Sequence, residues 1–190
     1  PRPDEDAWEA FLDLALERIG GERSPGLTNR KIGELETVLG CQLPFEVGLM
    51  LVMGVPSDEP WRQWTDPAAD WPAWNERLVA GFVFDVEHND LWSVDWGPKP
   101  ATLSDQADVV RSLINEAPGL FPIYGNYVVP LTAADGVPNS DGNPVLLVDG
   151  SNVTLIGDDL AAWMHHQFDV PLPMWPAEQR TFPFWSTRLN

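Results

Sequence analysis

The residue pattern predicts an α+β domain: N-terminal helices packed on an antiparallel sheet, with a C-terminal helix closing the fold. Three observations carry that prediction. Apolar residues recur at helical spacing in the N-terminal quarter, switch to a spacing of two at Gly81, and gather into short strands from Leu120 onward. Strands and helices do not alternate as βαβ units, which argues against a doubly wound nucleotide-binding sheet. The 19 prolines and 15 glycines demand turns and long connections, and so exclude a helical bundle.

The first helix is drawn by Trp8, Phe11, Leu12, Ala15, Leu16 and Ile19, one apolar stripe along the chain. Asp4, Glu5 and Asp6 stand where the helix dipole favours carboxylates, and Gly20-Gly21 ends the run. Thr28 is the N-cap of a second helix, which turns Ile32, Leu35 and Leu39 inward and stops at Gly40. Pro44 opens a third, through Val47, Leu49, Met50 and Val52, ended by Gly54. Residues 56–76 set Trp61, Trp64, Trp71 and Trp74 among Pro and Asp and read as a long loop with short helical turns.

From Gly81 to Glu87, Phe82, Phe84 and Val86 alternate with Asp85 and Glu87, predicting a strand with an acidic face. His88-Asn89-Asp90 turns it into an antiparallel partner from Leu91 to Trp96, with Trp92 and Trp96 on one buried side. A helix from about Asp105 to Glu116 follows. Leu120–Tyr124 and Tyr127–Leu131 flank the hairpin turn Gly125-Asn126. An irregular loop, Thr132 to Asn143, leads to a second strand pair, Pro144–Val148 and Val153–Ile156. The last helix starts at 157–160 and runs to Phe168, with Asp158 as N-cap and Asp159 in the first turn. Trp175, Phe182, Phe184 and Trp185 make the tail too aromatic to float, so it is expected to pack back. The chain reads as one domain over 1–190: a helical extension at 1–27, a core over about 28–170 and an aromatic, Pro-rich tail at 171–190.

Twenty-nine acidic against 11 basic residues give a formal charge of −18, which repels phosphate backbones and anionic bilayers. Neither nucleic acid nor membrane is therefore expected as a partner; a basic protein would be steered in, and solubility alone also accounts for acidity. Cys41 is the only cysteine, so neither an internal disulfide nor a cysteine-based zinc site can form, and a buried inert thiol is the default. The acidic start shows no signal-peptide pattern, and the expected location is the cytoplasm.

Phosphate-cradling glycine motifs and a GxSxG elbow are absent from the sequence. His165 and His166 are adjacent on a helix, about 100° apart, and cannot share one ion from one face. Asp85, Glu87 and His88 are the best metal candidates, against the alternative of a solvated strand face. The sequence thus predicts no enzyme, no cofactor and no bound metal. Trp61, Trp64 and Trp71, with Asp66 and Asp70, read either as a glycan, small-ligand or peptide platform or as a cover for the sheet. Together with Asp85 and Glu87 they are the candidate partner-binding residues.

Four segments in register resemble the SUKH superfamily, named for fungal Smi/Knr cell-wall regulators and including bacterial immunity proteins. Ile32-Gly33-Glu34-Leu35-Glu36 through Leu39-Gly40 and Leu43-Pro44 is similar to its "I…LE..LG..LP" helix pair. Gly81 to Asn89 with Trp92 and Trp96-Gly97-Pro98-Lys99-Pro100 is similar to the actinobacterial "GxxFDVExNxxWxxxWGPRP". Leu120 to Gly125 with Tyr127 and Pro130 is the third segment, and Gly142 to Val145 through Gly157 to Phe168 the fourth. The resemblance covers roughly residues 28–170. Gly125-Asn126-Tyr127 stands where "GHRY" is common, Lys99 replaces an Arg, and Asp149 to Val153 replaces an "xQTDV"-like turn, so the polar roles of those positions do not carry over. The resemblance implies a compact α+β fold and function by binding: toxin neutralisation in bacteria, scaffolding or regulation in fungi. A basic, nuclease-like toxin fits the acidic charge.

Overall fold

Four short strands form one antiparallel sheet in the order β1 (Leu120–Tyr124), β2 (Tyr127–Pro130), β3 (Val145–Asp149), β4 (Asn152–Gly157). This is a computed structural model, and it describes residues 3–131, 142–175 and 180–188. Around the sheet lie α1 (Glu5–Ile19), α2 (Asn29–Leu39), α3 (Phe45–Met53), α4 (Pro67–His88), α5 (Leu103–Glu116) and α6 (Leu160–Phe168). The α+β class read from the sequence is the class observed. Most of the loop expected from Thr132 to Asn143 lies outside the described residues.

Side-chain alternation along the strands gives the sheet two apolar faces, and each is covered by helices. Phe121, Ile123, Val129 and Val145 join a core with α1, α2, α3 and α6. Leu120, Val128, Leu146, Val148 and Val153 join a second core with α4, α5 and the tail residues Phe182 and Trp185.

The first layer is built as its local signals dictate. Asp4 accepts from the Ala7 N–H at 3.0 Å and caps α1, whose Trp8, Phe11, Leu12, Ala15 and Leu16 are buried. Each large side chain in that stripe contributes roughly 1.5–3 kcal/mol of burial. Thr28 caps α2, and Gly40, left-handed at φ 70°, ends it. Gly26 must be glycine because an added Cβ would lie 1.7 Å from the Val52 carbonyl oxygen. Trp175 folds back onto Trp8, with ring centroids 4.9 Å apart.

The second layer corrects the sequence reading. Residues 81–87 are not a strand but the C-terminal part of the 22-residue helix α4. Trp74, Leu78, Val79, Phe82, Val83 and Val86 recur at i, i+4, i+5, i+8, i+9 and i+12 and are all buried. A strand would bury Phe82, Phe84 and Val86 together; the helix buries Phe82 and Val86 and leaves Phe84 54% exposed, stacked on His88. Gly81 faces the β3–β4 turn, where an added Cβ would make ordinary contact with the Gly150 Cα at 3.5 Å.

Leu91 to Trp96 is likewise not a strand. It ends in a 3-10 turn, Val94–Trp96, that leaves Val94 91% exposed. Trp92 and Trp96, four residues apart, meet edge to face at 5.4 Å and are half-buried rather than buried. The Trp92 indole donates to the Gly97 carbonyl at 3.0 Å. Trp96 stacks on Phe184 and lies under the Arg188 guanidinium, which is 4.7 Å from its ring centroid. The tail packs back as its aromatic content predicts.

Candidate functional site

The Trp-rich segment divides in two. Its second half, with Trp71 and Trp74, belongs to α4, which corrects the reading of 56–76 as one loop. Its first half runs along β1. Trp61 bridges Tyr124, the Arg62 N–H donates to the Ile123 carbonyl at 3.2 Å, and the Gly125 N–H donates to the Pro60 carbonyl at 2.8 Å. The segment therefore satisfies backbone groups on an edge strand that would otherwise stand open.

Trp61 is 5% exposed and stacks on Phe168; Trp64 is 5% exposed and stacks on Phe121 at 4.5 Å. Their ring faces are spent on the core, so of the two readings of this segment, cover prevails over platform. Trp71 is half-buried and donates its indole N–H to the Leu120 carbonyl at 3.2 Å.

Asp85 and Glu87 do not share a face. On a helix two residues apart they point about 200° from each other. Asp85 accepts from the Ser151 N–H at 2.9 Å and from the Asn89 amide at 2.6 Å, which ties the end of α4 to the β3–β4 turn. Those bonds, Ser151's first, hold its carboxyl below the usual carboxylate range. Glu87 is exposed. His88 turns its Nδ1 to the Phe84 carbonyl at 3.0 Å. The three groups proposed from sequence as metal ligands thus point to different partners, and no group of three potential ligand side chains occurs among the described residues. Asp66 is exposed, and its N–H donates to the Asp70 carboxylate at 3.0 Å. These two acids start α4 and Glu87 ends it, a separation of about 25 Å at the helical rise. The candidate acidic residues therefore lie at opposite ends of one helix rather than in one site.

Other polar candidates have structural roles. Asp159, not Asp158, caps α6, accepting from the Ala162 N–H at 2.7 Å, one residue later than read from sequence. Burial pushes its carboxyl up. His165 bonds the Val170 carbonyl through Nδ1 at 2.8 Å. Burial and then the Glu36 charge raise the Cys41 thiol, opposite to what a reactive nucleophile needs.

Concave sites flank the 57–65 segment on two sides, one of about 520 Å³ against Leu27, Lys31 and Leu51, the other towards α4. A cleft of about 490 Å³ opens between the 57–64 segment, the start of α4 and the β1–β2 turn. It is walled by Pro122, Ala73 and the rims of Trp61, Trp64 and Trp74. A second hollow of about 240 Å³ continues it towards Asn126 and Gly150, and Arg62 and Arg77 line both. The size lies in the range of small-ligand sites. Sequence reasoning missed these arginines, which stand 15 positions apart; the one signal was Arg62 set among tryptophans in a chain poor in cations.

Fold and cleft define an α+β domain with an antiparallel sheet between two helical layers. Comparison with known protein families, characterised proteins and solved structures returned no match. No described helix is long and apolar enough to cross a membrane.

Proposed function

We propose that this chain is a non-enzymatic protein-binding domain of SUKH-like immunity type, acting in the cytoplasm on a basic, nuclease-like toxin. The observation that carries this reading is the uncompensated acidity of its surface. Eleven cations cannot neutralise 29 carboxylates, and several are already engaged, as in Arg18–Asp169, Arg23–Asp13 and Arg30–Glu34. The longest exposed run is the outer face of α1, where Glu5, Glu9, Asp13 and Glu17 follow at i, i+4, i+8 and i+12. Asp66 and Glu87 add exposed carboxylates at the two ends of α4. A field of this sign accelerates encounter with a cationic surface and is screened beyond about 8 Å at physiological salt. The four SUKH-like segments lend support, since they fall on α2–α3, the end of α4, the β1–β2 hairpin and β3 to α6.

The test takes the product of any toxin-like gene found beside the gene for this chain. Co-expression of this chain should relieve its growth inhibition, and the association rate should fall by about tenfold or more between low and physiological salt. Glu9→Gln/Glu17→Gln should flatten that salt dependence more than Asp66→Asn/Glu87→Gln. Unrelieved toxicity overturns the immunity reading, and salt-independent association overturns steering.

A further inference from the structure

The cleft carries a different chemistry from the surface around it. Arg62 and Arg77 both line its two hollows, and in the inner one they are the only charged residues. Neither forms an ion pair among the described residues, although carboxylates outnumber cations in this chain by 29 to 11. Arg62 donates one Nη2 hydrogen bond to the Gly125 carbonyl at 3.2 Å, while its Nε is buried without a partner. Burial first, and the neighbouring Arg77 charge second, pull the Arg62 guanidinium below its usual range, against a smaller opposing effect of the Glu59 carboxylate. The exposed Arg77 guanidinium lies close enough for its charge to act on the half-buried Arg62, and an anion between the two offsets that cost.

The outer hollow has two carboxylates, Glu59 and Asp70, and Asp70 is committed to the Asp66 N–H. Apart from the arginines, its remaining wall is Pro60, Pro122, Ala73, Gly125 and the tryptophans, with Ser57 and Gln63 as neutral polar groups. An anionic head therefore belongs in the inner hollow, with an apolar body lying outward along Pro122 and the tryptophan edges.

We propose that this cleft binds a small organic oxyanion, a carboxylate or phosphate group on a flat apolar body, with Arg62 and Arg77 holding the head. Planar guanidinium forks suit both head groups. Screening confines the surrounding negative field to about one Debye length, so carboxylates farther than that from the cleft do little to oppose entry. The site is independent of the toxin-binding reading, which rests on the opposite charge elsewhere on the surface.

The intact chain is titrated with phenyl phosphate, phenylacetate and inorganic phosphate, following the arginine Nε–Hε and indole resonances by NMR. Saturable shifts confined to Arg62, Arg77 and the cleft tryptophans are expected for phenyl phosphate or phenylacetate, and the tighter of the two assigns the head group. Arg77→Gln should weaken binding by roughly tenfold or more, and Arg77→Lys by less. Arg77 is exposed and bonds no described residue, so its loss leaves the fold intact, which the amide spectrum verifies. Arg111→Gln, an exposed cation on α5, is the control and should change nothing. Equal weakening by both glutamine variants, shifts mapping elsewhere or no saturation overturns the site. Inorganic phosphate binding as tightly as phenyl phosphate overturns the apolar-body requirement.

Discussion

The two faces of the sheet are covered by different kinds of chain. One is packed by α1, α2, α3 and α6, of which α1, α2 and α6 carry side-chain N-caps and α3 opens at Pro44 without one. The other is packed by α4, α5 and the aromatic tail, where α4 carries Pro72 between Trp71 and Trp74 and the tail contributes no long element. In the first layer, and in α5 with its Thr102 cap, local signals specify the helices; for α4 and the tail, packing partners decide what the segment becomes. Burial is as complete on both sides: Trp163 is 0% exposed in the first core and Phe82 is 0% exposed in the second.

The largest expected effects test whether the two layers are one cooperative unit. Trp163→Ala and Phe82→Ala should each cost about 3–5 kcal/mol by chemical denaturation, because both delete a wholly buried ring. Each variant should show one transition, shifted in midpoint, by fluorescence and by circular dichroism alike. Two separated transitions in Phe82→Ala would break the single-unit picture and make the second layer a local folding unit.

A smaller effect sharpens the contrast within α4. Asp85→Asn should cost about 1 kcal/mol at neutral pH through weakened bonds to Ser151 and Asn89, while Glu87→Gln should stay within about 0.5 kcal/mol. Asp85's folded pKa lies below its unfolded value, so its contribution is complete above about pH 4 and is lost as pH falls through the folded value. The gap between wild type and Asp85→Asn should close over that acid range. A gap unchanged down to pH 2 would mean that the carboxylate's charge plays no part.

The smallest effect belongs to the first layer. Asp159 is an N-cap whose carboxyl is pushed up by burial, so its charged form is the penalised one. Its sign is opposite to Asp85's: wild type gains relative stability as pH falls through the raised folded value. Asp159→Asn keeps an equivalent cap and should match or exceed wild type at pH 7, within about 1 kcal/mol, with the advantage shrinking on acidification. A loss above about 2 kcal/mol at pH 7 would show that the charge itself holds α6.

The misreading of 81–96 has a specific cause. Phe82, Phe84 and Val86 fit a period of two, while Trp74, Leu78, Val79, Phe82, Val83 and Val86 fit a helix; the shared residues serve both patterns. Treating Pro72 as a loop marker hid the upstream half of the helical stripe. It stands inside the helix, beyond the opening turn that starts at Pro67, where a proline removes one intrahelical N–H donor. Trp92 and Trp96 were equally ambiguous, since a spacing of four suits a strand face or a tight turn. The candidate acids on α4 inherited the wrong period and so the wrong face.

By itself the sequence determined the α+β class, the cap at Thr28, the Gly125-Asn126 hairpin and the charge of −18, because these depend on bonds within a few residues or on composition alone. Only the tertiary structure decided that α4 is one helix, that Trp61 and Trp64 face inward, and that Arg62 and Arg77 meet in one cleft. Burial is a free energy shared between distant partners: an indole beside β1 gains more from Phe121 or Phe168 than from water, and no local pattern around Trp61 or Trp64 names those rings.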